Sequence, residues 1–173
     1  IFDIDATLLN KEPDYSLIER LANQSMMPLC YGGGVKTVEQ AQRIFSLGIE
    51  KIALSSAVII NPNLITQISD RVGSQSMIVV LDVKKKLFGG YEVYINNGKK
   101  ATGINPFKFV EQAQRLGAGE IVINSIDRDG LMNGYDLDLI KKVREKITLP
   151  MTVLAFYGLT IYSVFKYIQQ RFS

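Results

Sequence analysis

The chain predicts a barrel of alternating β-strands and α-helices, and three observations predict it. Six short apolar runs, at residues 1–4, 28–31, 51–54, 77–83, 120–126 and 150–155, each end in a polar or glycine-bearing turn. Most of them lack alternation, which is how strands read when a parallel sheet is buried on both faces. Helical stretches with start signals lie between the runs, so strand and helix alternate throughout. The third observation is a repeat. Residues 38–43 and 110–115 both read VEQAQR, and each leads through Leu-Gly to a strand ending in serine, IEKIALSS at 49–56 and AGEIVINS at 118–125. EQAQ alone is ordinary exposed-helix composition, but with its matching downstream strand it favours repeated βα units, hence a (β/α)8 barrel over an open sheet.

The elements follow in order. The run 1–4 carries Asp3 near its end, and Pro13 marks the first turn of a helix. The run 28–31 flows into Gly32-Gly33-Gly34, after which Thr37 and Gln40, three residues apart, predict a capping box. The run 51–54 ends at Ser55-Ser56, and Asn61-Pro62 is expected to cap the next helix. After the run 77–83, the sequence LFGGYEVYI and the turn Asn96-Asn97-Gly98 predict a hairpin inserted in the loop 84–103. Long excursions at the catalytic end of a barrel often form lids. Asn105-Pro106 and Asp136 are expected N-caps on either side of the run 120–126.

The count falls short of a closed barrel. Eight strands take about 250 residues, whereas six runs occupy these 173. About six of eight units are expected, with one βα unit missing before Ile1 and one or more after the last residue. Such a chain is either a fragment or closes by association. No linker or low-complexity tract divides it, so residues 1–173 are expected to form one partial barrel domain.

Composition narrows the chemistry. The chain is 47% hydrophobic and 21% charged, an ordinary globular make-up. With one cysteine, Cys30, and no histidine, an internal disulfide, imidazole catalysis and histidine-ligated zinc are all excluded. Acid–base work falls to carboxylates, lysine or tyrosine. A net charge of +3, with no basic run beyond Lys84-Lys85-Lys86, argues against nucleic acid and suits an anionic metabolite. The start IFDIDATLL has early acids and no basic leader, so a cytoplasmic location is expected. Residues 147–165 are uncharged, but Pro150, Gly158 and several hydroxyl residues argue against a membrane span.

Among the polar residues, Asp82 ends the apolar run MIVVL. A carboxylate there can act as general acid or base, since burial on one side raises its pKa from about 4 toward working pH; the bland reading is a cap on the next loop. Asp3 ends its run similarly, and with Asp5 two residues on it reads equally as turn chemistry. Asp127, Arg128 and Asp129 stand together, which suggests an ion pair within the loop. Gly33 and Gly34, before the capped helix, place backbone N–H groups where a phosphate could be held, and Ser55 and Ser56 add two hydroxyls nearby. Asp129-Gly130 reads as a second anion-facing turn or as a plain one. Cys30, with no histidine to activate it, reads as a core residue. The lysines at 84–86 read as a solvated loop or, so close to Asp82, as phosphate steering.

These residues in this order resemble the cyclase subunit of imidazole glycerol phosphate synthase, a ribulose-phosphate-binding (β/α)8 barrel of histidine biosynthesis. The motifs are FDID at 2–5, GGGV at 32–35, GSQSMIVVLDVK at 73–84 and NSIDRDGLMNGYD at 124–136, and the likeness runs to about residue 150, with 155–173 divergent. The resemblance implies that ammonia from a partner glutaminase passes through the barrel. It then attacks a small phosphorylated substrate, a bisphosphorylated formimino-carboxamide ribonucleotide, giving imidazole glycerol phosphate and an aminoimidazole carboxamide ribotide. It implies two catalytic aspartates: Asp82 matches one, and the other would lie before Ile1, since Asp3 matches a second-strand aspartate. It implies one phosphate at Gly33, Gly34, Ser55 and Ser56, the other partly at Asp129 and Gly130, support from Asp3 and Asp127, and no metal or organic cofactor.

Two departures stand out. Ala53-Leu54-Ser55 replaces the family's Ser-x-Asn pattern, and Ala155-Phe156-Tyr157-Gly158 replaces its glycine-rich turn after the seventh strand. The wording MPLCYGGG and DVKKKLFGGYEVY also resembles a branch linked to surface polysaccharide, in which a sugar acquires an amidino group. A non-catalytic truncated remnant is the third reading.

Overall fold

In the computed structural model, residues 1–3, 6, 9, 11–128, 131 and 134–154 are described. The helices are α1 (Tyr15–Gln24), α2 (Val38–Ser46), α3 (Ser56–Ile60), α4 (Asn63–Val72), α5 (Pro106–Arg115) and α6 (Leu137–Arg144). The strands are β1 (Cys30–Gly32), β2 (Lys51–Leu54), β3 (Met77–Lys85), β4 (Tyr91–Ile95), β5 (Lys100–Ala101), β6 (Glu120–Ser125) and β7 (Met151–Leu154).

The parallel strands lie side by side in chain order. Phe2 bridges Gly32, β1 pairs β2, β2 pairs β3, β3 pairs β6 and β6 pairs β7, every pairing parallel. A doubly wound sheet would reverse its order at a switch point; this one does not, as expected of consecutive units of a (β/α)8 barrel. The fold is therefore a parallel α/β barrel, incomplete over these residues.

Two-sided burial explains the unbroken apolar runs. On the outer face Ile52, Leu54, Val79, Leu81, Ile121 and Ile123 join one core with helix residues such as Ile44, Ile65, Val110 and Leu139. The alternate residues Ala53, Ile78, Val80 and Val122 form a second, smaller cluster, flanked by Cys30 and Leu154. That cluster marks the barrel interior, because successive side chains of a strand point to opposite faces. Cys30 lies against it as a free thiol, its pKa raised chiefly by burial.

The caps follow local chemistry. Thr37 accepts from Gln40 N at 3.2 Å and the Gln40 side chain accepts from Thr37 N at 3.3 Å, so the capping box is complete. Asn105 accepts from Phe107 N and Lys108 N, and Asp136 from Leu139 N. Two expected starts shift. Asp14, not Pro13, borders α1, accepting from Leu17 N at 3.0 Å. Pro62 borders α4, and Asn61 contributes only its backbone carbonyl, which accepts from Leu64 N at 3.1 Å. A carboxylate can satisfy an orphan N–H where a proline cannot, and Pro62 already holds helical dihedrals.

The strand ends also move. The run 28–31 becomes Cys30–Gly32, because the Leu29 carbonyl turns to accept from Glu50 N and Lys51 N. The run 120–126 stops at Ser125, and 150–155 is strand over Met151–Leu154, with residue 155 outside the described residues. The hairpin is present but grows directly from β3. Residues Asp82, Val83, Lys84 and Lys85 pair antiparallel with Tyr94, Val93, Glu92 and Tyr91. The other edge of Asp82 and Val83 is held by β6, so β4 takes the edge that β2 leaves after Val79. Asn96 and Asn97 both sit at φ 55°, the left-handed conformation that a tight hairpin turn requires. Among the described residues no helix is long and apolar enough to cross a membrane.

Candidate active site at the strand ends

Asp82 shares the parity of Ile78 and Val80, so its carboxylate stands on the inner face at the end of the apolar floor. It pairs in register with Asn124 of β6, and Asn124 Nδ2 donates to Asp82 Oδ1 at 2.9 Å. Asn124 Oδ1 is buried with no hydrogen-bond partner among the described residues, and so is Ser55 Oγ. Asn124 was not an expected site residue. Its signal in sequence is a single polar residue at the end of the run EIVI.

The glycine turn has a packing reason of its own. Gly33 and Gly34 adopt φ 129° and 69°, and a Cβ on Gly34 would sit 2.9 Å from both Ala6 Cβ and the Lys11 carbonyl. A Cβ on Gly33 would strike the Asp3 carbonyl. Only glycine fits both positions without strain. The turn leads straight to the capped start of α2. Ser56 Oγ, expected toward a phosphate, accepts from Asn96 N at 3.0 Å and so ties the hairpin to the end of β2.

The other acids divide by role. Asp3 Oδ1 accepts from Ala6 N at 2.9 Å and Oδ2 from the Tyr31 hydroxyl at 3.4 Å, an arrangement that shapes the turn. Burial, with Asp3 second, raises the Tyr31 pKa well above its ordinary value. Asp127 Oδ2 accepts from Lys85 N at 2.7 Å, joining the loop after β6 to the hairpin. Asp129 and Gly130 lie outside the described residues. Tyr91 donates to Asp136, 3.0 Å away, with Asp138 at 3.2 Å as an alternative acceptor. Burial, then Asp136, raises the Tyr91 pKa, and the Lys142 side chain lowers that of Asp138.

The lysine run lines a cleft of about 870 Å³ between the hairpin and the loop after β6. Lys84 lies 5.9 Å from the Tyr94 ring centroid and Lys86 pairs with Glu92 at 3.6 Å, so two of the three lysines are turned along the hairpin. At the opposite end of the inner face, Lys51 pairs with Glu120 at 2.9 Å, and Thr152 Oγ1 donates to Glu120 Oε1 at 2.8 Å. Polar groups thus stand at both ends of the interior with apolar residues between.

A sequentially ordered parallel sheet, helices on its outer face and a carboxylate where its strands end define the α/β-barrel class, whose reacting groups gather at the C-terminal ends of the strands. The chain belongs to the histidine biosynthesis protein family, whose profile matches residues 1–155. It is 53% identical over 172 residues to a provisionally named imidazole glycerol phosphate synthase subunit, hisF3, of Vibrio vulnificus, covering 99% of this chain and 66% of that one. A provisionally named HisF subunit of the same synthase from Leptospira interrogans is 54% identical over 159 residues, 91% of this chain and 63% of that one. The imidazole glycerol phosphate synthase subunit HisF of Thermobifida fusca is 37% identical over 154 residues, 86% and 60%. The chain therefore spans just under two thirds of the length of these curated relatives.

Proposed function

We propose that this chain supplies the ammonia-dependent cyclase barrel of an imidazole glycerol phosphate synthase. Ammonia from a glutaminase subunit attacks the bisphosphorylated formimino-carboxamide ribonucleotide, and imidazole glycerol phosphate and the carboxamide ribotide leave. The observation that carries this reading is Asp82, held by Asn124 at the end of the inner face in a chain of this family. Asp82 exchanges protons with the reacting centre; Gly33, Gly34, Ser55 and Ser56 stand near one substrate phosphate, Asp129 and Gly130 near the other, and Asp3 and Asp127 brace the loops. A pathway enzyme of this kind works in the cytoplasm.

The test is turnover of the ribonucleotide by the protein with ammonium salt as nitrogen source, followed by the release of imidazole glycerol phosphate. Product supports the reading, and its absence, together with failure to rescue a histidine auxotroph, overturns it. A second reading is favoured by the names of the relatives. Four relatives at 41–54% identity are provisionally named, two of them as numbered copies hisF2 and hisF3, whereas three whose HisF name carries no such qualifier are 37–38% identical. On that reading the same barrel passes ammonia toward amidation of a surface-polysaccharide sugar.

A further inference from the structure

Asn124 holds Asp82 through its amide nitrogen, but its carbonyl oxygen is used by neither the fold nor the roles assigned so far. Its orientation is set by its neighbour. An ionised carboxylate only accepts, so the amide nitrogen must face Asp82 across the 2.9 Å contact, and a flipped amide would set two acceptors against each other. The carbonyl oxygen is thereby turned into a buried position with no donor among the described residues. Buried acceptors are almost always satisfied in native proteins, so this one is built for a donor that comes and goes.

The surroundings restrict that donor. Below the pair lie Val80 and Val122, in register with each other on the inner face. β3 and β6 pair through six consecutive residues, from Ile78↔Glu120 to Val83↔Ser125, so the spacing of Asp82 and Asn124 is fixed by two continuous strands. A neutral acceptor beside a carboxylate, over an apolar floor, suits a small molecule with several N–H groups.

On the strength of the cyclase reading, we infer that Asn124 Oδ1 and the Asp82 carboxylate form the subsite that holds ammonia for attack. Ammonia has three N–H donors and one lone pair. Donating to Asn124 Oδ1 and to Asp82 uses two N–H groups and leaves the lone pair directed at the substrate. The ionised Asp82 carboxylate is placed to take the proton that the nitrogen sheds as it attacks, and the neutral Asn124 orients the nucleophile without adding charge.

The experiment is steady-state turnover with ammonium salt varied at saturating ribonucleotide, for the wild type and for Asn124→Leu, Asn124→Ala and Asn124→Thr. The Leu and Ala variants are expected to raise the KM for ammonia about tenfold, the scale of one lost hydrogen bond, with the KM for ribonucleotide little changed. Asn124→Thr keeps one donor and one acceptor and is expected to recover most of the loss. If Leu does not fold, Ala carries the measurement. An unchanged ammonia KM in the variants, with the wild type active, overturns the subsite and leaves the cyclase reading intact. A wild type without turnover overturns both.

Discussion

Asp82→Asn preserves the shape of the side chain and its contact with Asn124 while removing its ability to take up a proton. Turnover is expected to fall by about 10² to 10⁴, the range for a lost general acid or base, with the thermal midpoint almost unchanged; a residual rate within a factor of a few of wild type would remove Asp82 from the chemistry. Asp82 was legible in the sequence because five apolar residues lead into it. Asn124 was not, because its meaning comes from a partner 42 residues away and appears only once β3 and β6 are in register. Asp3 was half legible: its place at a strand end was visible, but its carboxylate is committed to Ala6 N and the Tyr31 hydroxyl. The tyrosines carry a pH signature. Tyr31 and Tyr91 have native pKa values raised above the ordinary 10.0, so the unfolded chain loses those protons first. Their stabilising contribution is complete below about pH 10 and is lost as pH climbs from there through the native values. Denaturation midpoints measured from pH 8 to 11 should fall only in the upper part of that range, and Tyr91→Phe should lessen the fall.

At the scale of elements, the caps that were legible are those written in neighbouring residues. Thr37 with Gln40, Asn105 and Asp136 each need only a spacing of two or three. Thr37→Ala is expected to cost about 1 kcal/mol, read by chemical denaturation. α3 escaped notice because its five residues are too few to show a period. The hairpin was legible as a hairpin but not as an extension of β3, since the edge it occupies is set by where β2 stops. Its anchors are Ser56 to Asn96 N, Asp127 to Lys85 N, and Tyr91 to Asp136. Tyr91→Phe is expected to cost about 1 kcal/mol, the usual net value of one hydrogen bond, and to speed amide exchange in β4 more than in β6. Equal exchange in both strands would mean that this tyrosine does not hold the hairpin down.

At the scale of the whole molecule, alternation and the repeat made the barrel class legible, because parallel strands buried on two sides leave a mark along the whole chain. Over the described residues the sheet runs from Phe2 to β7, and Ile1 and Phe2 are 39% and 41% exposed. Unpaired strand edges beside apolar surface promote association, so the 173-residue chain alone is expected to self-associate in light scattering, and a monodisperse monomer would refute this. The VEQAQR units add one more consequence. Aligning their strands brings Lys51 onto Glu120 and Ser55 onto Asn124. The first two are the partners of the interior ion pair, and the second two carry the buried polar atoms at its other end. The same charged residue in both strands would set like against like at this place, whereas Lys51 and Glu120 meet as opposite charges 2.9 Å apart. The two similar strands thus meet at that end as electrostatic complements of one another.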